Sequence, residues 1–138
     1  MADAVVVEAN VNAPVATTKQ AEKISGAAQG IGIPVYEDST ASFKLKACDA
    51  NALASAKCVG ITLNEVAGAN QPQRIVTDGT YDPGFTAVEG VVYVVSETAG
   101  GICPIADLTT DAYVTILGVG NSDGDIALSI FASGSQVQ

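Results

Sequence analysis

Short runs of strand-forming residues recur along most of this chain, with turn-forming residues between them. From Gly32 onward the runs recur about every 10 to 12 residues, the spacing of a sandwich or barrel. The segment ASFKLKA shows the pattern: Phe43 and Leu45 are predicted on one face with Ala47, and two lysines on the other. The sequence therefore predicts an all-β domain, a small β-barrel or sandwich.

Several neighbouring segments are also predicted to be strands. GIPVYEDST is a predicted strand, and CVGITLNEV is another, with Val59, Ile61 and Leu63 facing inward. RIVTDG is a strand predicted to end at the turn signal Asp78-Gly79, and a second turn is expected at TYDPGF. These segments predict a meander of short antiparallel strands.

The segment EGVVYVVSETAGGICP predicts a strand that is buried on both sides. Val91, Tyr93 and Val95 face one way, and Val92 and Val94 face the other. The double glycine after this strand permits a tight reversal. Further on, AYVTILGVG and DIALSIFASG flank the turn sequence NSDG, which predicts a hairpin at the end of the chain.

The beginning of the chain differs in character. DAVVVEANVNAPVATT is extended, because Pro14 disfavours helix entry, and residues 1–20 are predicted to form an extended N-terminal arm. Residues 21–138 are then the β-domain. An edge strand of the domain's own sheet is the alternative for the arm. KQAEKISGAAQG is predicted as a short helix that Gly26 and Gly30 cut short.

Composition and hydropathy limit where such a chain folds. It is 48% hydrophobic but only 5% aromatic, so Val, Ile, Leu and Ala must fill the core. No window reaches the roughly 18 apolar residues of a membrane helix. The N-terminus has an acid at position 3 and no basic region, unlike a signal peptide. We expect folding in a cytoplasm and no membrane partner.

The charge is unevenly distributed. The net charge is −9, and all six basic residues lie at or before Arg74, whereas eight acidic residues and no base follow from Ile75 onward. Nucleic-acid binding requires a basic surface, so no nucleic-acid partner is expected. The acidic half indicates either a solvated surface or an outward-facing end opposite a partner-binding end.

The sequence offers little for catalysis or cofactor binding. With no histidine, a Ser-His-Asp or Cys-His pair cannot form, and the commonest transition-metal ligand is absent. Cys48, Cys58 and Cys103 are an odd set without a C-x-x-C motif, which predicts buried, reduced thiols. No catalytic residue, cofactor or metal site is predicted.

The segment NSDGD places acidic and amide side chains at alternate positions, as in a calcium loop. However, Ile126 stands where that loop needs glycine, and Ala132 stands where it needs its bidentate glutamate. A hairpin turn is therefore favoured over a calcium site. Loose cation binding by Asn121, Asp123 and Asp125 remains an alternative.

Two carboxylate pairs were considered as catalytic groups, Asp78 with Asp82 and Glu89 with Glu97. Glycosidase chemistry needs such a pair in a cleft that also offers stacking aromatics, and the chain has no tryptophan. We therefore expect a protein that is not an enzyme, with a carboxylate enzyme as the least favoured hypothesis.

The order of these segments resembles a family. ISGAAQGIGIPVYEDSTASFKLKACDAN is similar to the opening of the capsid cement, or decoration, proteins of tailed bacteriophages, and KCVGITLNEVAGANQPQRIVTDG is similar to their next element. GVVYVVSETAGGICP and YVTILGVGNSDGDIALSIFASG resemble the terminal units of this class and of related head-fibre modules. The resemblance covers residues 24–134 and consists of apolar and glycine spacings.

This resemblance implies a β-barrel or β-tulip domain that assembles as a homotrimer on the outer surface of a virion. The implied partner is the major capsid protein, and the N-terminal arm would lie along neighbouring coat subunits. The arm could add a strand to an exposed sheet edge while its valines cover apolar surface. The candidate capsid-contact residues are Val5, Val6, Val7, Val11 and Val15.

Two functions thus remain in view for a trimeric β-protein. The leading expectation is a structural protein that clamps coat subunits and stabilises the capsid. The alternative is a fibre or spike module that binds host surface glycan, for which the candidate stacking residues are Tyr36, Tyr81, Tyr93 and Tyr113.

Overall fold

The protein folds as an antiparallel β-sheet that curls into a half-barrel, in a computed structural model that describes residues 3–138. The first two residues of the predicted arm lie outside the described residues. Strands make up 46% of the chain and helical turns 10%, which confirms the all-β prediction.

The sheet has ten strands, most of them short. A single-turn helix, α1, spans Leu53–Ala56, and 3-10 turns lie at Glu8–Asn10, Ser39–Ala41 and Ile105–Asp107. No helix within residues 3–138 has the length and apolar character needed to cross a bilayer. The strands are β1 Val11–Asn12, β2 Thr18–Ile24, β3 Pro34–Asp38, β4 Lys44–Ala47, β5 Gly60–Thr62, β6 Pro72–Pro83, β7 Val92–Val95, β8 Ile102–Pro104, β9 Tyr113–Gly120 and β10 Ile126–Gln136.

Strand β6 organises the sheet. The strand order is β4-β3-β5-β6-β10-β9-β7-β8, and β1 and β2 pair with β6 as well. β2 pairs with one edge of β6 from Pro72 to Gly79. Two strands therefore share the opposite edge of β6: β5 pairs with its residues Ile75 and Val76, and β10 pairs with its residues 78–81. The sheet therefore divides along β6, and this division lets it curl.

The turn predicted at Asp78-Gly79 is wrong, because β6 runs through it. Gly79 has φ +102°, and a Cβ there would lie 2.1 Å from the carbonyl oxygen of Thr17. Glycine is thus required by the close approach of the N-terminal segment, and a register shift follows in the β2–β6 ladder. The chain reverses only after Pro83, so most of TYDPGF is also strand.

The short helix predicted for KQAEKISGAAQG is also wrong. Residues from Thr18 to Ile24 form β2 and pair with β6 over seven register positions. An isolated helix of this length is marginal in water, so backbone pairing to a long neighbouring strand prevails. After β2, Gly26 packs closely against the backbone of Leu45 on β4.

The core has a large cluster inside the curl and two smaller ones, the first around Val94 and the second formed by Val35, Leu45 and Ile75. Tyr93 and Val95 of β7 belong to the inner cluster, whereas Val94 belongs to an outer cluster that Leu108 and Ala112 cover. The prediction that this strand is buried on both sides is confirmed. The inner cluster contains Cys48, Cys58, Ile61, Val76, Tyr81, Ala87, Tyr93, Val95, Ile102, Leu117, Ile126 and Leu128.

The strand pattern around β4 is confirmed in part. Leu45 is fully buried, but Phe43 lies before the strand with φ +60° and is 63% exposed. The prediction that Phe43 faces inward is wrong, because the left-handed backbone at this position turns its side chain out of the sheet. In β5, Ile61 is buried as predicted, and Val59 and Leu63 are half-buried at the strand's flanks.

The final hairpin is confirmed. β9 and β10 form an antiparallel pair, in which Gly120 and Ile126 lie opposite each other next to the turn. The Asn121 side chain closes this turn. Its Oδ1 atom accepts hydrogen bonds from the amides of Asp123 and Asp125, both at 3.0 Å. These side-chain bonds explain why the turn begins at an asparagine.

Candidate interaction surface

The N-terminal segment, residues 3–17, crosses the end of the domain and is held to it at several points; we refer to it as the strap. At its start, the Asp3 carboxylate accepts a hydrogen bond of 2.5 Å from the Ser96 hydroxyl. The Ala4 amide donates to the Ile102 carbonyl at 2.8 Å, so the strap extends the edge of β8. The strap is therefore attached by its backbone and not only by side chains.

The middle of the strap is anchored beside Gly84. The Val7 amide donates to the Gly84 carbonyl at 2.9 Å, and the Ile31 amide donates to the Glu8 carboxylate at 3.3 Å. Val11 then begins β1 by pairing with Pro83. These contacts join the strap to two separate loops of the domain.

Two of the five candidate valines, Val6 and Val11, anchor the strap. Their methyl groups lie above Gly32 and Gly84, which have φ +81° and +83°. A Cβ at Gly84 would lie 2.9 Å from Val11 Cγ2, and one at Gly32 would lie 2.9 Å from Val6 Cγ1. The two glycines thus form the floor on which these side chains rest.

The side chains of the other three valines are exposed. Val5 is 81% exposed, Val7 is 49% exposed and Val15 is 84% exposed. Val5 and Val7 flank the anchoring Val6, as expected from the alternation of an extended chain. The strap therefore presents apolar side chains outward while its backbone is bonded to the domain.

A groove of about 450 Å³ lies between the strap and the β9–β10 turn. Val5 and Val7 line one side, and Asp82, Asp123 and Asp125 line the other. Burial, and then repulsion from the other two carboxylates, raises the pKa of Asp125 above its ordinary value. The groove thus joins apolar side chains to an excess of negative charge.

A second depression, of about 420 Å³, lies near the beginning of the strap. It is bordered by Val5 and by the rings of Phe85 and Tyr93, whose centroids are 5.4 Å apart. The Tyr93 hydroxyl accepts a hydrogen bond of 2.9 Å from the Val88 amide, so this ring is fixed in place. Val5 therefore stands between two concave surfaces.

Two of the four acidic side chains named as catalytic candidates have structural contacts. Glu97 accepts hydrogen bonds from the Thr109 hydroxyl and amide at 2.6 and 3.1 Å, and these bonds lower the pKa of its carboxyl group. Asp82 accepts a hydrogen bond from the Gly84 amide at 3.0 Å. Asp82 thus closes a turn of the backbone, whereas Glu97 joins two segments that are twelve residues apart.

No group of three or more Asp, Glu or Cys side chains within residues 3–138 is arranged to hold a metal ion. The turn at Asn121 is occupied by its own amide hydrogen bonds, in agreement with the hairpin interpretation. Loose cation binding by Asn121, Asp123 and Asp125 stays a prediction.

All three cysteines are buried and free, as predicted. Burial raises the pKa of Cys103 to about 12, with smaller contributions from nearby acids. Burial also raises the pKa of Cys48, and the neighbouring Cys58 adds to that effect. At neutral pH the thiols of Cys48 and Cys103 are therefore protonated and behave as small apolar side chains.

The tyrosines are poorly placed for stacking on a sugar. Tyr81 and Tyr93 are buried in the core, and Tyr36 and Tyr113 are half-buried. The exposed aromatic side chain with a sheet environment is Phe131 on β10. Phe131 was not among the predicted surface aromatics, although the alternation of DIALSIFASG places it on the same face as Ala127 and Ser129.

Comparison of the chain with protein-family models, with curated proteins and with solved structures gave no match.

Proposed function

We propose that this chain is a virion structural protein of the capsid decoration class, which binds the outer surface of an assembled capsid without catalysing a reaction. As a homotrimer it would clamp neighbouring subunits of the major capsid protein. Its β-domain would be the β-tulip of that class, folded in the host cytoplasm before it binds the particle.

The observation that carries this proposal is the strap with its three outward valines. Val5, Val7 and Val15 leave three apolar side chains in solvent on one short segment, and such clustering of exposed apolar residues favours a contact site. Val6 and Val11 anchor the same segment to the domain, so the outward side chains are held in position. A pre-positioned apolar contact loses less conformational entropy on binding than a free arm.

The charge distribution supports the same assignment. The groove beside the strap contains Asp82, Asp123 and Asp125, and the eight acids after Ile75 have no basic residue among them. A coat surface with lysine or arginine side chains near an apolar patch would complement this groove. Elsewhere the acidic surface limits nonspecific association.

The energetic argument for capsid stabilisation is one of linkage. A protein that binds the assembled shell but not free coat subunits shifts the equilibrium toward the shell by mass action. Three linked copies bind with a high effective concentration, so each individual contact needs only modest affinity.

The test uses expanded capsids of the tailed bacteriophage to which the proposal assigns this chain. We expect the purified chain to co-sediment with these capsids and to raise the temperature at which they dissociate. Replacing the three outward valines together by serine should weaken binding at least tenfold. Leu53→Ser is the matched control, because Leu53 is also exposed but lies on α1 and not on the strap.

Absence of co-sedimentation by the unaltered chain would reject the capsid assignment. Equal binding by the triple-serine variant and the control would retain the assignment but remove the strap from the contact. Cryo-electron microscopy of particles that carry the chain would show directly which coat subunits it touches.

A further inference from the structure

Two of the three cysteines lie beside each other in the inner cluster. Cys48 is fully buried and Cys58 is 7% exposed. Their thiols are joined by a side-chain hydrogen bond. The Cys58 thiol itself donates to the Gly60 carbonyl at 3.3 Å, so its sulfur is the acceptor for the Cys48 thiol. The two sulfur atoms are therefore in direct contact.

Hydrogen bonds close the loop between these cysteines. The Asp49 amide donates to the Ser55 carbonyl at 3.2 Å, and the Ser55 hydroxyl donates back to the Asp49 carbonyl at 3.1 Å. Cys48 immediately precedes Asp49, and its own amide donates to the Pro34 carbonyl on β3 at 2.8 Å. The two ends of the loop are thus held near each other by noncovalent contacts.

The third cysteine lies apart from this pair. Cys103 is on β8 and belongs to the outer cluster with Val94 and Leu108. The fold therefore brings one pair of thiols together and leaves the third in a different cluster. The structure thus selects one of the pairings that the sequence leaves open.

The loop that covers the pair is itself exposed. Residues 51–54 are exposed, and α1 is a single turn with one buried residue, Ala56. A helical turn of this length is marginal in water, so the loop opens at lower cost than the strands around it. Local opening of this loop exposes Cys58 to a small reagent without unfolding the sheet.

We propose that Cys48 and Cys58 are a redox-active pair that closes to an intramolecular disulfide, with oxidised glutathione as the oxidant. The Cys58 thiolate attacks one sulfur of oxidised glutathione, which gives a mixed disulfide and releases one glutathione thiolate. The Cys48 thiolate then attacks the Cys58 sulfur and releases the second glutathione thiolate. The protons of the two cysteine thiols pass to the two released thiolates. One protein dithiol is thus oxidised and one glutathione disulfide is reduced.

The order of the two attacks follows from the burial of the thiols. Cys58 attacks first, because it is the more exposed of the two. Burial raises the pKa of Cys48, so this thiol does not compete for the oxidant while it is covered. It reacts once the mixed disulfide has formed, because the Cys58 sulfur is already next to it. The contact therefore favours the internal disulfide over a lasting glutathione adduct.

The disulfide would close residues 48–58 into a ring and stabilise the fold. Such a cross-link acts mainly by removing conformations from the unfolded chain. A chain made in a reducing cytoplasm would carry the dithiol, and a particle with this chain would meet oxidising conditions only after it leaves the cell. Only this last step rests on the proposed function, since the reaction needs the folded chain alone.

The experiment measures disulfide formation in mixtures of reduced and oxidised glutathione at neutral pH. One sample of the full-length chain stays unfolded in urea, and another is refolded from urea in the same mixture, so access to buried thiols does not limit the equilibrium. Free thiols should fall from three to one in the refolded chain. The equilibrium constant for the disulfide should be on the order of a hundredfold larger in the refolded than in the unfolded chain.

Peptide mapping identifies the linked residues. Cleavage by trypsin after Lys57 and Arg74 places each of the three cysteines on a different peptide. Cys48→Ala should retain a glutathione adduct at Cys58, because the second attack is absent. Cys103→Ala is the matched control: it also removes one buried cysteine, but it should still form the disulfide.

A refolded chain that keeps three free thiols would overturn the inference, and so would a peptide map that links Cys103. A ratio of equilibrium constants no greater than one would also overturn it, because the fold would then oppose the cross-link. If the disulfide forms but the chain does not bind capsids, the inference holds and the proposed function fails. If capsids bind the chain and its three thiols stay free, the proposed function holds and the redox pair is excluded.

Discussion

Gly84→Ala should release the strap from the domain. A methyl group at Gly84 would lie 2.7 Å from the Val7 carbonyl oxygen and 2.9 Å from Val11 Cγ2. Gly90 is a matched control, because its φ of +81° is close to the +83° of Gly84, and a methyl group there would meet nothing within 4 Å. The two substitutions thus share the backbone strain and differ only in the contact with the strap.

The magnitudes follow from these distances. Alanine at either site pays about 1–2 kcal/mol for the left-handed backbone. Alanine also lowers the conformational entropy of the unfolded chain, which offsets this cost by about 0.4–1 kcal/mol. Gly90→Ala should therefore lower the free energy of unfolding by about 0.5–1.5 kcal/mol. Gly84→Ala adds an overpacking cost of about 1–3 kcal/mol. We therefore expect an excess of about 2 kcal/mol for Gly84→Ala.

The assay is urea unfolding at equilibrium, together with amide hydrogen exchange. In Gly84→Ala the Val7 amide should exchange faster, because its bond to the Gly84 carbonyl is displaced. Gly90→Ala should leave this exchange rate unchanged. Equal destabilisation by the two substitutions, with equal protection of Val7, would refute the view that the strap rests on Gly84.

Three further perturbations test the interior and the groove. Tyr81→Phe should leave the free energy of unfolding unchanged or raise it by about 1 kcal/mol, because the buried hydroxyl has no hydrogen-bond partner within residues 3–138; a loss of 2 kcal/mol would show that the hydroxyl is bonded. Thr115→Val removes a buried hydroxyl that donates to the Ala56 carbonyl, and urea unfolding should show a loss of about 1–3 kcal/mol; an unchanged midpoint would contradict this. The pKa of Asp125 is higher in the folded than in the unfolded protein, so its ionised carboxylate destabilises the fold at pH values above the folded-state pKa. This destabilisation is lost as pH falls through the folded-state pKa and then through the unfolded-state pKa. Asp125→Asn should therefore stabilise the protein at pH 7 and give no gain at acid pH, and a gain that is independent of pH would exclude burial and repulsion of the ionised carboxylate as its cause.

Local sequence pattern predicted the environment of individual strands well. The two apolar faces of β7 were evident from VVYVV, and the structure buries Tyr93 and Val94 in different clusters. The final hairpin was evident from alternating apolar residues on both sides of NSDG. These predictions succeed because side-chain alternation and turn preference depend on a few adjacent residues.

The candidate surface was predicted only in part. The valines of the N-terminal segment were identified from its sequence, but their division into the anchors Val6 and Val11 and the outward Val5, Val7 and Val15 depends on the positions of Gly32 and Gly84. Those glycines are distant in sequence and close in space.

The sequence by itself determined that this chain forms strands, that its cysteines are buried and that its charge is separated along its length. The tertiary structure decided that β2 is a strand and not a helix, that β6 continues through Gly79, and that Phe131 is exposed on β10. The physical reason is that periodicity is a local property of the chain, whereas strand pairing and exposure depend on which distant segments supply the hydrogen bonds and the cover.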